Sequence, residues 1–121
     1  MTRVSLLLVS LLALVFAATG LASAARPTIT LTPSSVHAGR TVVIRGNAGG
    51  CPVGDTVTLL SRAFVATHEF ASVPAVFARV RSTGRYAVTT RIPRTRRPGR
   101  YVVTARCGGG NFGVARYLVV R

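Results

Sequence analysis

The chain has 121 residues, 49% of them hydrophobic, which is enough for one domain with its own core and too few for two. All 16 basic residues are arginine, Asp55 and Glu69 are the only acids, and the formal net charge is +14. That balance leaves little material for carboxylate chemistry and points to polyanions as partners: nucleic acid, anionic lipid headgroups or the phosphate polymers of a cell wall.

Arg3 gives the chain a positive start. Val4–Ala18 is an apolar run broken only by Ser5 and Ser10. It is shorter than the ~20 residues that span a bilayer. Ala22-Ser23-Ala24 then fits the small-x-small cleavage rule, so residues 1–24 are expected to be a signal peptide cut after Ala24, with Ala25 the neighbouring alternative. No cysteine follows the small residues and no second apolar span lies near the C-terminus. The expectation is a secreted or cell-surface protein with no transmembrane anchor after cleavage, and a single domain over residues 26–121. Without Arg3 that domain carries fifteen arginines against two acids.

Thr28–Thr32 alternates, with Ile29 and Leu31 on one face and threonines on the other. Pro33-Ser34-Ser35 ends it. His37–Arg40 reads as a turn and Thr41–Gly46 as a strand with Val42 and Ile44 inward. Asn47–Gly54 is a glycine-rich loop carrying Cys51. Thr56–Ser61 is a third strand with Val57 and Leu59 inward. Arg62–Pro74 is hard to read: Ala63–Phe70 fits a short helix or an irregular crossover. Val76–Arg81 and Arg85–Ile92 flank a Ser82-Thr83-Gly84 turn and are expected to form a hairpin, with Tyr86, Val88, Thr90 and Ile92 on one face. Pro93–Gly99 is a loop holding Arg94, Arg96 and Arg97. Arg100–Cys107 places Tyr101, Val103, Ala105 and Cys107 on one face. After the loop Gly108–Gly113, Val114–Val120 is the last strand, with Leu118 and Val120 inward.

About seven short strands with regular turn signals and no helical period predict an all-β, antiparallel two-sheet sandwich. Two cysteines in an exported chain admit one intramolecular pairing, Cys51 with Cys107. The loop so closed has about 57 residues, worth about 4 kcal/mol on the chain-entropy model.

The order and spacing of AGRTVVIRG, GGCPVGDTVTL, TGRYAVTTRIP and RPGRYVVTARC resemble the immunoglobulin-like domains of secreted bacterial, especially actinobacterial, proteins. The resemblance covers most of the mature chain outside about Arg62–Pro74. It implies a two-sheet sandwich in which Tyr101 packs its ring on the core and bonds backbone through its hydroxyl. There is no tryptophan, and Cys51 lies in a loop, so the implied bond staples loops at one end of the sandwich. Neocarzinostatin-type apoproteins, which carry a small molecule in a cleft, are a more distant likeness.

Catalytic material is sparse. An acid/base pair has to be Asp55 with Glu69, yet one opens a strand and the other sits in the unreadable segment. Asp55 suits a local turn role after Gly54. His37 stands beside a glycine turn, and neither it nor His68 belongs to a metal-spaced cluster. The expectation is a non-catalytic binding or structural module with no cofactor and no metal. An enzyme or a small-molecule carrier are the rival readings.

Arg91, Arg94, Arg96, Arg97 and Arg100 crowd around Pro93 and Pro98 and are the candidate anion-binding residues. They lack interleaved aromatics, so no sequence-specific reading of nucleic acid is expected. The expected partner is an anionic cell-wall polymer or another envelope protein. Phe112, an apolar side chain inside a glycine run, is the candidate loop contact; its alternative role is to cover the edge of the core.

Overall fold

The computed structural model describes residues 25–121, so the expected signal peptide over residues 1–24 lies outside the described residues. Among the described residues there are nine strands and no helix: β1 Thr30–Thr32, β2 Ser35–Val36, β3 Thr41–Asn47, β4 Thr56–Leu60, β5 Glu69–Phe70, β6 Val73–Arg79, β7 Arg85–Arg91, β8 Gly99–Cys107 and β9 Gly110–Val120. They form a three-stranded sheet in the order β1-β3-β7 and a six-stranded sheet in the order β2-β9-β8-β4-β6-β5.

The core follows from alternation. β3 and β7 send Val42, Ile44 and Tyr86 inward from the small sheet, and Ile29 and Ile92 flank those strands. β4, β8 and β9 send Val57, Leu59, Val103, Ala105, Leu118 and Val120 inward from the large one. These side chains belong to one cluster. Burying each large apolar side chain contributes about 1.5–3 kcal/mol before entropy is set against it. The expected facing of Thr41–Gly46, Thr56–Ser61, Arg85–Ile92, Arg100–Cys107 and Val114–Val120 is the facing observed.

Tyr86 crosses the small sheet from inside. Its hydroxyl donates to the Thr28 carbonyl at 2.6 Å, and burial pushes its pKa from 10.0 to about 12. Gly46 makes that contact possible: a Cβ there would collide with the Thr28 carbonyl and lie 2.7 Å from the Tyr86 hydroxyl. Tyr101 is half-buried against the core, and its hydroxyl donates to the Arg97 carbonyl at 2.7 Å.

Three expectations are corrected. First, the two strands flanking Ser82-Thr83-Gly84 do not form a hairpin. β6 pairs with β4 in the large sheet, and β7 pairs with β3 in the small one. The turn itself forms, with the Arg81 amide bonding the Arg85 carbonyl and Gly84 at φ +75°. It serves as a crossover because each strand finds a longer ladder in a different sheet. Second, the strand expected at Val76–Arg81 begins earlier, at Val73, since the start of β6 pairs with β5. The segment Arg62–Pro74 is therefore an irregular crossover ending in a short hairpin; its Ala63 and Phe64 are fully buried. Third, Ser35–Val36 adds parallel to the end of β9. Two residues are too few to display a period, which is why about seven strands were legible and nine exist.

Cys51 and Cys107 are joined, with Cα atoms 5.8 Å apart. The bond ties the β3–β4 loop, which leaves the small sheet, to the last residue of β8 in the large sheet. It closes one end of the domain.

Candidate functional site

The arginines clustered in sequence do not cluster in function. Arg96 turns inward against the crossover: Nε donates to the Ala63 carbonyl at 3.3 Å and one terminal nitrogen to the Phe64 carbonyl at 2.9 Å. It pins the segment that carries two core side chains. Arg97 offers its backbone carbonyl to Tyr101, and its side chain is exposed. The Arg100 guanidinium stacks 3.6 Å over the ring of Tyr117.

Arg91 and Arg94 go elsewhere. With Arg40 they line an open cleft of about 640 Å³ beside Ala38, Gly39 and Thr41. All three arginines are exposed. The cleft exists because the His37–Arg40 turn is anchored rigidly: the Gly39 amide bonds the Ile92 carbonyl, and the Ile92 amide bonds the Arg40 carbonyl. Gly39, at φ +87°, also lets the Arg94 stem pass close by; a Cβ there would lie 2.8 Å from Arg94 Cγ. The turn and the Pro93 loop thus present their guanidinium groups to one volume of solvent. Bidentate contact with phosphate or carboxylate suits such an arrangement.

Arg40 was not singled out from the sequence, nor were Arg45, Arg81 and Arg85, which line a second cleft of about 440 Å³ with Thr83 and Thr89. The signal was half present. Alternation puts Arg45, Arg85 and Arg91 outward, but the β3–β7 register that sets Thr41 opposite Arg91 and Asn47 opposite Arg85 joins residues 38 to 50 apart in sequence.

The acids are not brought together. The Asp55 carbonyl receives the Val80 amide just past one end of β6, while Glu69 pairs with Pro74 near the other end. Six residues of strand separate those points, roughly 20 Å. That exceeds the spacing of a glycosidase carboxylate pair, about 5–9.5 Å. Asp55 approaches the sulfurs of Cys51 and Cys107 within 4.8 Å. Sulfurs joined to each other offer no thiolate, so this trio does not fit a metal. His37 is exposed, and the His68 ring lies 5.2 Å from that of Phe77.

At the stapled end the expected loop Gly108–Gly113 is corrected: β9 already pairs with β8 from Gly110, so Phe112 stands in a strand, where it is half-buried and packs against the core cluster. It also lines a shallow groove of about 320 Å³ with Cys51, Cys107, Pro27 and Asn111.

No protein-family model and no curated protein matches the sequence. Among solved structures, the chain is similar to Pseudomonas fluorescens alkylpurine DNA glycosylase AlkC bound to DNA containing an abasic site analog, at 17% identity and a TM-score of 0.49. The match covers 78% of this chain and 29% of that one.

Proposed function

We propose that this protein is a secreted or cell-surface immunoglobulin-like sandwich module that acts without catalysis, by binding anionic polymers of the cell envelope. Export is supported by the apolar run Val4–Ala18 with its small-residue cleavage motif, and by a disulfide, which suits an oxidising compartment. No described helix is long and apolar enough to cross a membrane. The immunoglobulin-like assignment rests on the four turn-and-strand motifs and on a two-sheet core with a tyrosine hydroxyl bonded to backbone before β8.

One observation carries the binding reading. Arg40, Arg91 and Arg94 surround an open cleft, whereas the two acids lie beside strands of the other sheet. Among the described residues no Asp or Glu side chain lines this cleft, and an anionic ligand would supply the missing counter-charge. The test is retention of the mature protein on immobilised polyphosphate at low and moderate salt. The triple variant Arg40→Ser, Arg91→Ser, Arg94→Ser should elute at markedly lower salt than wild type. Arg97→Ser should elute nearly where wild type does. Equal elution of wild type and the triple variant overturns the reading.

A further inference from the structure

The outer face of the three-stranded sheet joins the two arginine clefts into one surface. Inward positions of β3 and β7 are consumed by the core, so the outward ones are Thr41, Val43 and Arg45 on β3 and Arg85, Ala87, Thr89 and Arg91 on β7. The register places Arg91 beside Thr41, Thr89 beside Val43 and Ala87 beside Arg45. The edge strand β1 adds Thr30 opposite Arg45 and Thr32 opposite Val43. Guanidinium groups therefore stand at both ends, with threonine hydroxyls between them.

Length matters. The first cleft sits at Arg91 and the second at Arg85, on the same strand. Six residues of extended chain separate them, roughly 20 Å. One small anion cannot span that distance; a chain of linked anions can. Arg40, Arg45, Arg81, Arg85, Arg91 and Arg94 are all exposed. Exposed guanidinium groups that share a cleft repel one another and gather counterions. A polyanion laid along them releases those counterions.

Among the described residues no aromatic side chain stands on this face, and Tyr117 reaches only its β1 edge, in a cleft shared with Thr30. The exposed aromatics Phe70, Phe77 and Tyr117 all belong to the six-stranded sheet. Tyr86, the one aromatic of β7, is 1% exposed and points inward. Single-stranded nucleic acid draws much of its affinity from bases stacked on aromatic rings. A surface of guanidinium and hydroxyl groups instead fits phosphates, and hydroxyls of the chain that links them.

We infer that a linear phosphate polymer without bases lies lengthwise along β7, across the outer face of the small sheet, with its ends in the two clefts. This rests on the proposed polyanion binding and specifies its ligand class and direction. Arg40, Arg91 and Arg94 hold one end, Arg45, Arg81 and Arg85 the other, and Thr41 and Thr89 donate hydrogen bonds between them.

The test uses the mature protein with inorganic tripolyphosphate, inorganic polyphosphate long enough to span both clefts, and oligothymidine of matched charge. The long chain should bind at least about tenfold tighter than tripolyphosphate. Arg45→Ser with Arg85→Ser, both exposed substitutions, should remove most of that length advantage and lower the salt slope by about 2. Arg62→Ser with Arg100→Ser, on the outer side of the other sheet, should change long-chain affinity less than twofold. If the Arg45/Arg85 variant keeps the full length advantage while Arg40→Ser with Arg94→Ser abolishes binding, the lengthwise track is wrong and the single-cleft reading stands. If oligothymidine binds tighter than polyphosphate, the base-free assignment is wrong. If the Arg62/Arg100 control loses as much as the Arg45/Arg85 variant, the binding is diffuse and the track is again overturned. If wild type binds no polyphosphate even at low salt, both readings fall together.

Discussion

The two sheets bury the same kind of residue and differ in the large apolar side chains they expose. Inside, both are lined by branched aliphatic side chains and one tyrosine each, with the isoleucines on the small sheet. Outside, the small sheet carries threonine and arginine. The large sheet exposes Phe70, Phe77, Val102, Tyr117 and Val119. Its arginines are partly used to cover them: Arg100 stacks on Tyr117, and the Arg106 guanidinium carbon lies 4.9 Å from the centre of the Phe70 ring. A guanidinium laid on an aromatic shields apolar surface and has fewer free donors for a ligand. The net charge of the chain says how much cation there is. Only the contacts of each guanidinium say where it is available, and on the large sheet Arg100 and Arg106 are held on aromatic rings.

The disulfide offers the largest test of this division. It lies at one end of the molecule, away from the Arg40–Arg91–Arg94 cleft. Cys51→Ser with Cys107→Ser should lower unfolding stability by about 4 kcal/mol, measured by denaturant titration. Below its melting temperature the variant should still bind tripolyphosphate at the Arg40–Arg91–Arg94 cleft like wild type. A proportionate loss of binding would mean that the small sheet depends on the staple and is not an independent platform.

A smaller effect should appear in alkali, centred on the small sheet. The folded pKa of Tyr86 is raised to about 12 from 10.0 because the buried phenol resists ionising. Neutral tyrosine is thus favoured by folding. Its contribution is complete below pH 10 and is lost as pH rises through about 12, a fall of about 2–3 kcal/mol. Tyr86→Phe should flatten that part of the stability–pH curve. It should also lower stability near neutrality, since the Thr28 carbonyl loses its donor. An unchanged alkaline slope in the variant would show that another group controls it.

The smallest effect belongs to the large sheet. Tyr101→Phe removes one hydrogen bond to the Arg97 carbonyl at the entry to β8. The expected cost is about 1 kcal/mol, visible as a drop of several degrees in Tm. Polyphosphate binding should not move, because Arg97 lines neither arginine cleft.

Much of the site was half legible. Arg91 and Arg94 stood out because they lie three residues apart around Pro93. Arg96 and Arg100 stood out for the same reason, yet one is bonded to the Ala63 and Phe64 carbonyls and the other is stacked on Tyr117. Those partners sit in a crossover with no readable period and in a strand whose register with β8 is set by folding. Arg40, Arg45, Arg81 and Arg85 were invisible as a group because three separate stretches of chain supply them. The glycine run around Phe112 suggests a loop, but the side chain stands in β9, packs on the core edge and lines the groove beside the disulfide.

By itself the sequence determined which side of each long strand faces the core, because side chains alternate with a strictly local period of two. It also determined the cysteine pairing, since two cysteines in one chain leave one choice. The tertiary structure alone decided which strands share a sheet. The turn at Ser82–Gly84 fits a hairpin equally well, but β7 gains a seven-residue ladder with β3, far away in sequence. That non-local pairing brings Arg45 next to the arginines of β7, and with it the surface on which the proposed binding depends.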